Sequence, residues 1–272
     1  MKRLPSVPPR RPAAAGIPLN RRDRLAWGVT GVVIVLAVMQ LGVASGVISA
    51  DSVPTATAML RRAVGLVSTQ SFLSAVGDTL LATLAAFGLA TAAGLLLGVA
   101  IGATEPLYRA LTGLIDFMRP IPSVALLPIA VLIFGLGAEM KIVLATYAAF
   151  WPVLINTIYG VRDVDRVMVS TARSFAWGRT RVMRQVMLPA SLPFVATGLR
   201  LATAVALVVV LTAELLAAEG GVGTVIRAYQ AAGRVDYVYA GILIVALIGL
   251  LLSMLVGAGE RRLLRWSPQH RS

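Results

Sequence analysis

Long runs without a charged residue are the feature that most constrains what this chain can fold into. One run extends from Trp27 to Val47 and another from Thr79 to Ala103, and neither contains an ionisable side chain. An α-helix needs about 20 consecutive apolar residues to cross the hydrocarbon core of a bilayer. Lipid offers no hydrogen bonds to backbone amides. Such runs therefore predict helices, in which the backbone N–H and C=O groups bond to one another. We therefore expect an integral membrane protein.

Further apolar runs extend this prediction along the rest of the chain. They are Pro120 to Ala138, Ile142 to Val161, Pro193 to Ala218 and Val238 to Gly259. The sequence thus predicts an all-α polytopic membrane protein with about six transmembrane helices. Pro120, Pro122 and Pro128 lie at or inside the start of the third run. Since proline removes a backbone donor, this helix must begin late or bend.

The ends of the chain differ in character from its middle. Residues 1–24 are basic and rich in proline, which is typical of a disordered cytoplasmic tail. We assign 25–69 to the first transmembrane helix and an external connection, 70–266 to the main transmembrane domain, and 267–272 to a cytoplasmic tail. A cleaved signal peptide is the competing interpretation of the first run, because Ala44-Ser45-Gly46 resembles a cleavage site. Signal cores are usually shorter, about 7–15 residues.

Positive charge is distributed unevenly between the two predicted sides of the membrane. Lys and Arg number 25 against 12 Asp and Glu, for a formal net charge of +13. With the N-terminus inside, only these Lys and Arg residues fall outside: Arg61, Arg62, Lys141, Arg227 and Arg234. Cytoplasmic loops collect Lys and Arg, so both termini are expected in the cytoplasm. The sequence contains no basic stripe with interleaved aromatic residues, so nothing in it indicates nucleic-acid binding.

Residues that carry most enzyme chemistry are missing from the sequence. There is no Cys, the single His is His270 near the C-terminus, and the only lysines are Lys2 and Lys141. Neither lysine follows glycine, so no phosphate-binding loop of the G-x-x-x-x-G-K type is present. No carboxylate pair suits acid–base catalysis. We predict no catalytic residue, no metal site and no cofactor bound by this chain, which is therefore not an enzyme.

Two ionisable residues, Arg200 and Glu214, fall inside the predicted fifth span. Their separation of 14 residues is about 21 Å along a helix, too far for them to pair. Arg200 is expected to extend to the inner interface. Glu214 is expected near the outer end, where water has access, facing a cavity or pairing with a helix terminus or polar group. A secondary transporter would carry midplane ion sites and inverted repeats, which we do not find.

Small residues recur at every fourth position of the second predicted span. They are Ala82, Ala86, Ala90, Gly94, Gly98 and Gly102. Such a stripe lets the backbone of another helix approach closely, so it predicts helix packing rather than a ligand site.

The stretch 162–191 is the most charged internal part of the chain. Its apolar residues recur at helical spacing while arginines occupy the other positions, which predicts one or two short amphipathic helices beside the membrane. Gly178 is a plausible break between them. The pattern alone fits equally a helix lying on the lipid surface and a docking element for a cytoplasmic partner.

Within this stretch, Ser170-Thr-Ala-Arg-Ser-Phe-Ala176 and Val186-Met-Leu-Pro189 resemble the cytoplasmic motif of binding-protein-dependent ABC importer permeases. That motif reads Glu-Ala-Ala, three residues, Gly, nine residues, Ile-x-Leu-Pro. The departures and matches are Ser170 for Glu, Thr171 for the first Ala, Ala172 as a match, Ala176 for Gly, Val186 for Ile, and Leu188 and Pro189 as matches. With its glycine replaced, the turn is expected from Gly178 instead.

Other segments resemble the nitrate/sulfonate/taurine branch of the same family. The main ones are Arg119-Pro-Ile-Pro-Ser-Val-Ala-Leu-Leu-Pro128, Phe150-Trp-Pro152 with Asn156-Thr157, Ala213-Glu214 and Gly220-Gly-Val-Gly223. The likeness covers about residues 70–266. It implies the type I ABC importer permease fold and a place in the bacterial cytoplasmic membrane.

The resemblance also implies partners, cargo and site residues. A second permease copy, expected to be identical, would complete the translocation pathway, and separate ATPase subunits would bind ATP and Mg. A periplasmic or lipid-anchored solute-binding protein would deliver a small organic or inorganic anion such as an alkanesulfonate, taurine or nitrate. A pyrimidine-type vitamin precursor is the alternative cargo; a secondary transporter or a non-transporting scaffold are the alternative functions. Coupling to the ATPase would use Ser170, Thr171, Ala172, Arg173, Phe175, Ala176, Gly178, Val186, Leu188 and Pro189. Pathway or gating candidates are Arg119, Pro120, Pro122, Asn156 and Glu214.

Overall fold

A computed structural model describes residues 21–49 and 51–263, which form α-helices, a 3-10 turn and a π turn, with no strand among them. The α-helices are α1 (Arg21–Ala44), α2 (Ala56–Val67), α3 (Gln70–Ala103), α4 (Glu105–Met118), α5 (Leu127–Phe134), α6 (Ala138–Arg162), α7 (Arg166–Ser174), α8 (Arg179–Val182), α9 (Leu188–Leu216), α10 (Val222–Ala231) and α11 (Val235–Leu263). The 3-10 turn is Ser123–Leu126 and the π turn is Met183–Met187. Of the tails predicted at 1–24 and 267–272, residues 1–20 and 267–272, with His270, lie outside the described residues, whereas residues 21–24 begin α1.

Two compact units divide the chain between Thr57 and Ala58. The first contains α1, whose apolar side chains are largely exposed, as expected for a helix whose solvent is lipid. The second contains α3 to α11. Within the described residues, five helical stretches are long and apolar enough to cross a membrane, and there are six when one bent pair of helices is counted as a single span. This confirms the predicted all-α polytopic fold.

The bent crossing consists of α4 and the 123–134 segment, which meet at 79°. The bend predicted from the prolines is confirmed, because Pro120 and Pro122 fall in the non-helical break. Helix α4 begins at Glu105. Pro106 occupies the first turn of that helix, where its missing N–H would have no partner anyway.

Helices α3, α6 and α9 form the packed centre of the second unit. The stripe of small residues on α3 is buried and faces α6. A Cβ added to Gly94 would lie 2.7 Å from Val153 Cβ, and one added to Gly98 would lie 2.6 Å from Thr157 Cβ. The two helices can approach this closely only because these side chains are absent, so the packing prediction is confirmed.

Helices α3 and α9 extend beyond the apolar runs that predict them, and α10 lies between two of those runs. Helix α3 begins at Gln70, before the run that starts at Thr79. Helix α10 lies in the segment between Ala218 and Val238. The fifth span is continuous with α8 from Arg179 onward, and Pro189 and Pro193 lie within it. The π turn ends at Met187, and its wider hydrogen-bond register lets the helix continue past the donor that Pro189 lacks.

The connection predicted between the first two spans does contain an amphipathic helix, α2. Its Arg62 donates a 2.7 Å hydrogen bond to Asp236 on α11 and lies 4.8 Å from the centre of the Tyr237 ring. The Asp236 hydrogen bond raises the pKa of Arg62 above its ordinary value. Buried apolar residues of α2, α3, α10 and α11 form one cluster, and Tyr237 packs against it.

Candidate functional site

A cavity of about 350 Å³ lies beside the break in the bent crossing. Non-helical backbone at membrane depth is tolerated only inside protein or beside a wet cavity, and the break satisfies this condition. The lining residues are Arg119, Ile121, Ser123, Tyr147, Ala148, Trp151, Pro152, Ile155, Asn156 and Leu201. The cavity thus brings together the proline-rich segment at 119–123 and the Phe150–Thr157 segment of α6.

The polar side chains of this cavity retain unused hydrogen-bonding capacity. Arg119 and Ser123 form no side-chain hydrogen bond or ion pair within the part of the chain that the structure describes. Asn156 donates one N–H to the Pro152 carbonyl at 2.8 Å, which leaves its second N–H and its oxygen. Tyr147 donates its hydroxyl proton to the Met118 carbonyl at 3.0 Å and so fixes α6 to the end of α4.

Charge in the cavity is of one sign. Arg119 is its only ionisable lining residue among those described apart from the phenol of Tyr147, and no carboxylate lines it. Asp116 lines a separate hollow of about 30 Å³ that Arg119 also borders, and forms no ion pair with it. Pro120 and Pro122 form the break but do not line the cavity. Arg119 directly follows α4, at the break between the two helices of the bent pair.

The charged segment 162–191 contains a short amphipathic helix, α7, over part of the predicted stretch. Asp165 begins it by accepting a 2.8 Å hydrogen bond from the Val167 N–H. Ala172 is buried, whereas Ser170, Thr171 and Arg173 are exposed. Three large apolar side chains of the segment are exposed and belong to no core cluster: Val167, Met168 and Phe175. Large apolar groups on the surface of a basic helix indicate a contact surface.

The turn after α7 is built on Ala176. Its φ is 57°, the only positive φ at a non-glycine position among the described residues. The Ala176 N–H bonds the Arg173 carbonyl at 2.8 Å and the Trp177 N–H bonds the Ala172 carbonyl at 3.2 Å, the pattern of a Schellman C-cap. The expectation that Gly178 supplies this turn is wrong, since Gly178 has φ −67° and instead begins α8.

Further residues of the segment connect α7 to the long helix α9. Val182 is buried, while Val186, Leu188 and Pro189 are half-buried in the π turn and the start of α9. A hollow of about 600 Å³ beside α7 is lined by Glu105, Arg162, Arg166, Ser170 and Arg173 among others. Arg162 pairs with Glu105 at 2.8 Å and lies over the Tyr108 ring. These contacts hold α6 to α4 beside the hollow, and α7 itself packs against α8 and the π turn.

Glu214 forms a buried ion pair that the sequence did not predict. Its Oε1 lies 2.7 Å from Lys141 Nζ, and the two side chains are 0% and 2% exposed. Thr79 donates to the same carboxylate at 2.9 Å and the Gly223 N–H donates at 3.0 Å. Pairing with a backbone donor at the start of α10 was anticipated; access of water to Glu214 was not found, because four elements enclose it.

Lys141, which the charge distribution predicts on the outer side, lies in the first turn of α6. Its ammonium also donates to the Gly220 carbonyl at 3.2 Å, so it fixes the loop before α10. The backbone there allows the contact only without side chains, since Gly221 has φ 98° and a Cβ on it would lie 2.0 Å from Glu214 Oε1. Arg200 likewise does more than extend toward water, because it pairs with Glu260 on α11.

Comparison with known proteins adds family membership to this geometry. Residues 90–265 match the family described as binding-protein-dependent transport system inner membrane component. The taurine transport system permease protein TauC of Escherichia coli (strain K12) is 33% identical over 258 residues, 92% of each chain. The putative aliphatic sulfonates transport permease protein SsuC of Bacillus subtilis (strain 168) is 30% identical over 247 residues, 90% of each chain. In fold, the chain resembles the methionine ABC transporter MetNI in an inward-facing conformation, with a TM-score of 0.62, 20% identity, and coverage of 70% of this chain and 95% of that one.

Proposed function

The chain belongs to the binding-protein-dependent transport system inner membrane components and is the permease subunit of an ABC importer, and on this premise we propose that it imports a small organic or inorganic anion. It is a multi-pass protein of the inner membrane and is not itself an enzyme. As a family member it works with an ATPase and a solute-binding protein. The finer assignments below are proposals.

Two observations support the proposed cargo: the substrates named for the relatives, and the residues that line the cavity of this chain. Taurine and aliphatic sulfonates, named for the two relatives, both carry a sulfonate group, and nitrate shares its negative charge. The cavity at the break of this chain offers an unpaired guanidinium and no carboxylate. A guanidinium binds oxyanions through parallel charge-assisted hydrogen bonds. Arg119 and Asn156 are therefore proposed as pathway residues; this favours an anion over a neutral vitamin precursor.

The proposed site of ATPase contact is the surface of α7 and the following turn. Phe175 is 73% exposed although it is a large aromatic side chain, and this observation carries the assignment. Arg173 and the exposed arginines beside it would favour an acidic rim on the partner. Because α8, the π turn and α9 are continuous, a push on this segment is transmitted along the fifth crossing. The ATPase, not this chain, would bind ATP and Mg.

The orientation and assembly are proposed together. The α7 surface must face the cytoplasm to reach an ATPase, which places both termini on that side and the solute-binding protein on the other. A second, identical copy would complete the pathway. A periplasmic or lipid-anchored binding protein would deliver the anion from outside.

Replacing Phe175 with Asp tests the ATPase contact. An exposed aromatic side chain contributes through burial at an interface, so a charge there should abolish co-purification with the ATPase while membrane insertion persists. Ala172→Asp is a poorer test, because Ala172 is buried within this chain. Val64→Asp on α2, which is 71% exposed and lies outside the membrane-spanning helices, serves as the matched control. Retention of the ATPase by Phe175→Asp would remove the contact from this surface.

Labelling tests the orientation. Since the chain has no cysteine, Arg173→Cys creates a single reactive site. A membrane-impermeant maleimide should label it in inverted vesicles and not in intact cells. Labelling from the outside would reverse the proposed topology.

A further inference from the structure

Building on the proposed function, we propose that the cavity at the break is a substrate-binding site within the permease itself, and that it selects alkyl oxyanions. The oxyanion head would lie on Arg119, with Ser123 and Asn156 beside it, and the alkyl tail among the apolar side chains. The membrane domain would then bind the cargo selectively a second time, after the solute-binding protein has done so.

The head-group position follows from where the free donors lie. The exposed Arg119 side chain has no partner among the described residues, so its guanidinium is free to bind an anion. Ser123 is the first residue of the helical segment after the break, the end at which backbone N–H groups lack intrahelical partners and favour negative charge.

The tail position follows from the rest of the lining. Ile121, Ile155 and Leu201 are apolar, and the rings of Tyr147 and Trp151 pack edge to face with centroids 5.7 Å apart. A volume of about 350 Å³ exceeds what a lone inorganic anion needs. Each methylene moved from water into apolar surroundings tightens binding by about fourfold. Affinity should therefore rise from methanesulfonate to ethanesulfonate to butanesulfonate.

The lining also predicts what the site disfavours. Taurine carries an ammonium, and no carboxylate lines the cavity to receive it. Asp116 borders only the adjacent smaller hollow. Nitrate has the charge but no tail. The expected order of affinity is butanesulfonate, ethanesulfonate, then taurine and nitrate.

Trp151 provides a local reporter because its ring lines the cavity. The full chain, labelled with ¹⁵N-tryptophan, would be placed in phosphatidylcholine nanodiscs and titrated with each anion. The chain has four tryptophans, and Trp151→Phe identifies the relevant indole resonance. A saturable shift confined to that resonance is expected. Arg119→Gln should raise the half-saturating concentration by about ten- to a hundred-fold, the loss expected for one charge-assisted hydrogen bond.

Two further variants test whether binding depends on the charge at position 119 in particular. Arg119→Lys preserves the charge and should retain weaker binding, whereas Arg61→Gln removes an exposed arginine of α2 and should change nothing. The other indole resonances report whether each variant is folded. Absence of a saturable shift, an unchanged shift in Arg119→Gln, or tighter binding of taurine than of ethanesulfonate would overturn the proposal.

Three outcomes distinguish an added solute from a lipid head group as the bound anion, and distinguish failure of the binding site from failure of the proposed transport function. If the shift requires phosphatidylglycerol in the nanodisc and no added solute, a lipid head group occupies the cavity and the proposal fails. If the assembled transporter imports no anion while the solute-induced shift persists, the proposed function fails and the binding site stands. If import occurs but the shift does not, the cavity is not the site.

Discussion

Breaking the buried ion pair between Lys141 and Glu214 should destabilise the transmembrane domain strongly. The carboxylate accepts from Lys141 at 2.7 Å, from Thr79 at 2.9 Å and from Gly223 at 3.0 Å, with no water access. Removing one partner leaves an uncompensated charge inside the protein, which typically costs about 3–5 kcal/mol. We expect Lys141→Met and Glu214→Gln each to lower the free energy of unfolding by that amount.

The double variant distinguishes an ion pair from two unrelated buried groups. With both charges removed, the Gln side chain can still accept from Thr79 and Gly223, so the double variant should lose only about 1–2 kcal/mol. Unfolding of the full chain by SDS in mixed micelles, followed by circular dichroism, measures each value. Glu105→Gln, the same change in an exposed ion pair, is the matched control and should alter stability little. Additive losses in the double variant would refute the reasoning.

Three further predictions concern backbone positions, each measured by the same unfolding assay. Gly221→Ala should destabilise more than Gly233→Ala, because both have positive φ but only the first would place its Cβ against a carboxylate; equal losses would leave backbone strain as the whole cause. Gly98→Ala should separate α3 from α6 and destabilise, whereas Gly88→Ala, with no atom within 4 Å of the added Cβ, should be neutral or slightly stabilising; a harmless Gly98→Ala would contradict the close packing. Ala176→Gly should stabilise the turn after α7 by about 1 kcal/mol, since left-handed backbone costs alanine about 1–2 kcal/mol; no gain would show that the turn relaxes without strain.

The membrane-spanning helices were predictable because their signal is local. A run of apolar residues specifies a helix in lipid whatever the rest of the chain does. The small residues of α3 were equally informative, since their four-residue period defines one face of a helix. The bend after α4 followed from proline stereochemistry alone.

The buried pair was not predictable in the same way, because its partners are 73 residues apart. Counting charges by loop assigned Lys141 to the outside, and nothing in its neighbours along the chain revealed a partner. A lysine directly after a Gly-rich turn, together with a lone acid near the end of another span, is the signal that could have suggested it. Amphipathic α10 was harder to predict because glycines flank it, at Gly220, Gly221 and Gly233.

The cavity was predictable from the sequence only in part. Both segments that line it were singled out from the sequence, Arg119 with its prolines and Asn156 with the preceding Trp-Pro pair. Their proximity depends on the bend between α4 and the 123–134 segment, whose angle the sequence does not specify. Proline predicts that a helix breaks, but tertiary packing decides where the next segment goes.

ATP-driven uptake of labelled ethanesulfonate into proteoliposomes tests the central claim most directly. The permease would be reconstituted with its ATPase, and the solute-binding protein supplied on the external side. We predict uptake that requires ATP and falls at least tenfold in Arg119→Gln, while stimulation of the ATPase by the binding protein persists. Uptake without ATP, or equal uptake by Arg119→Gln, would contradict the account.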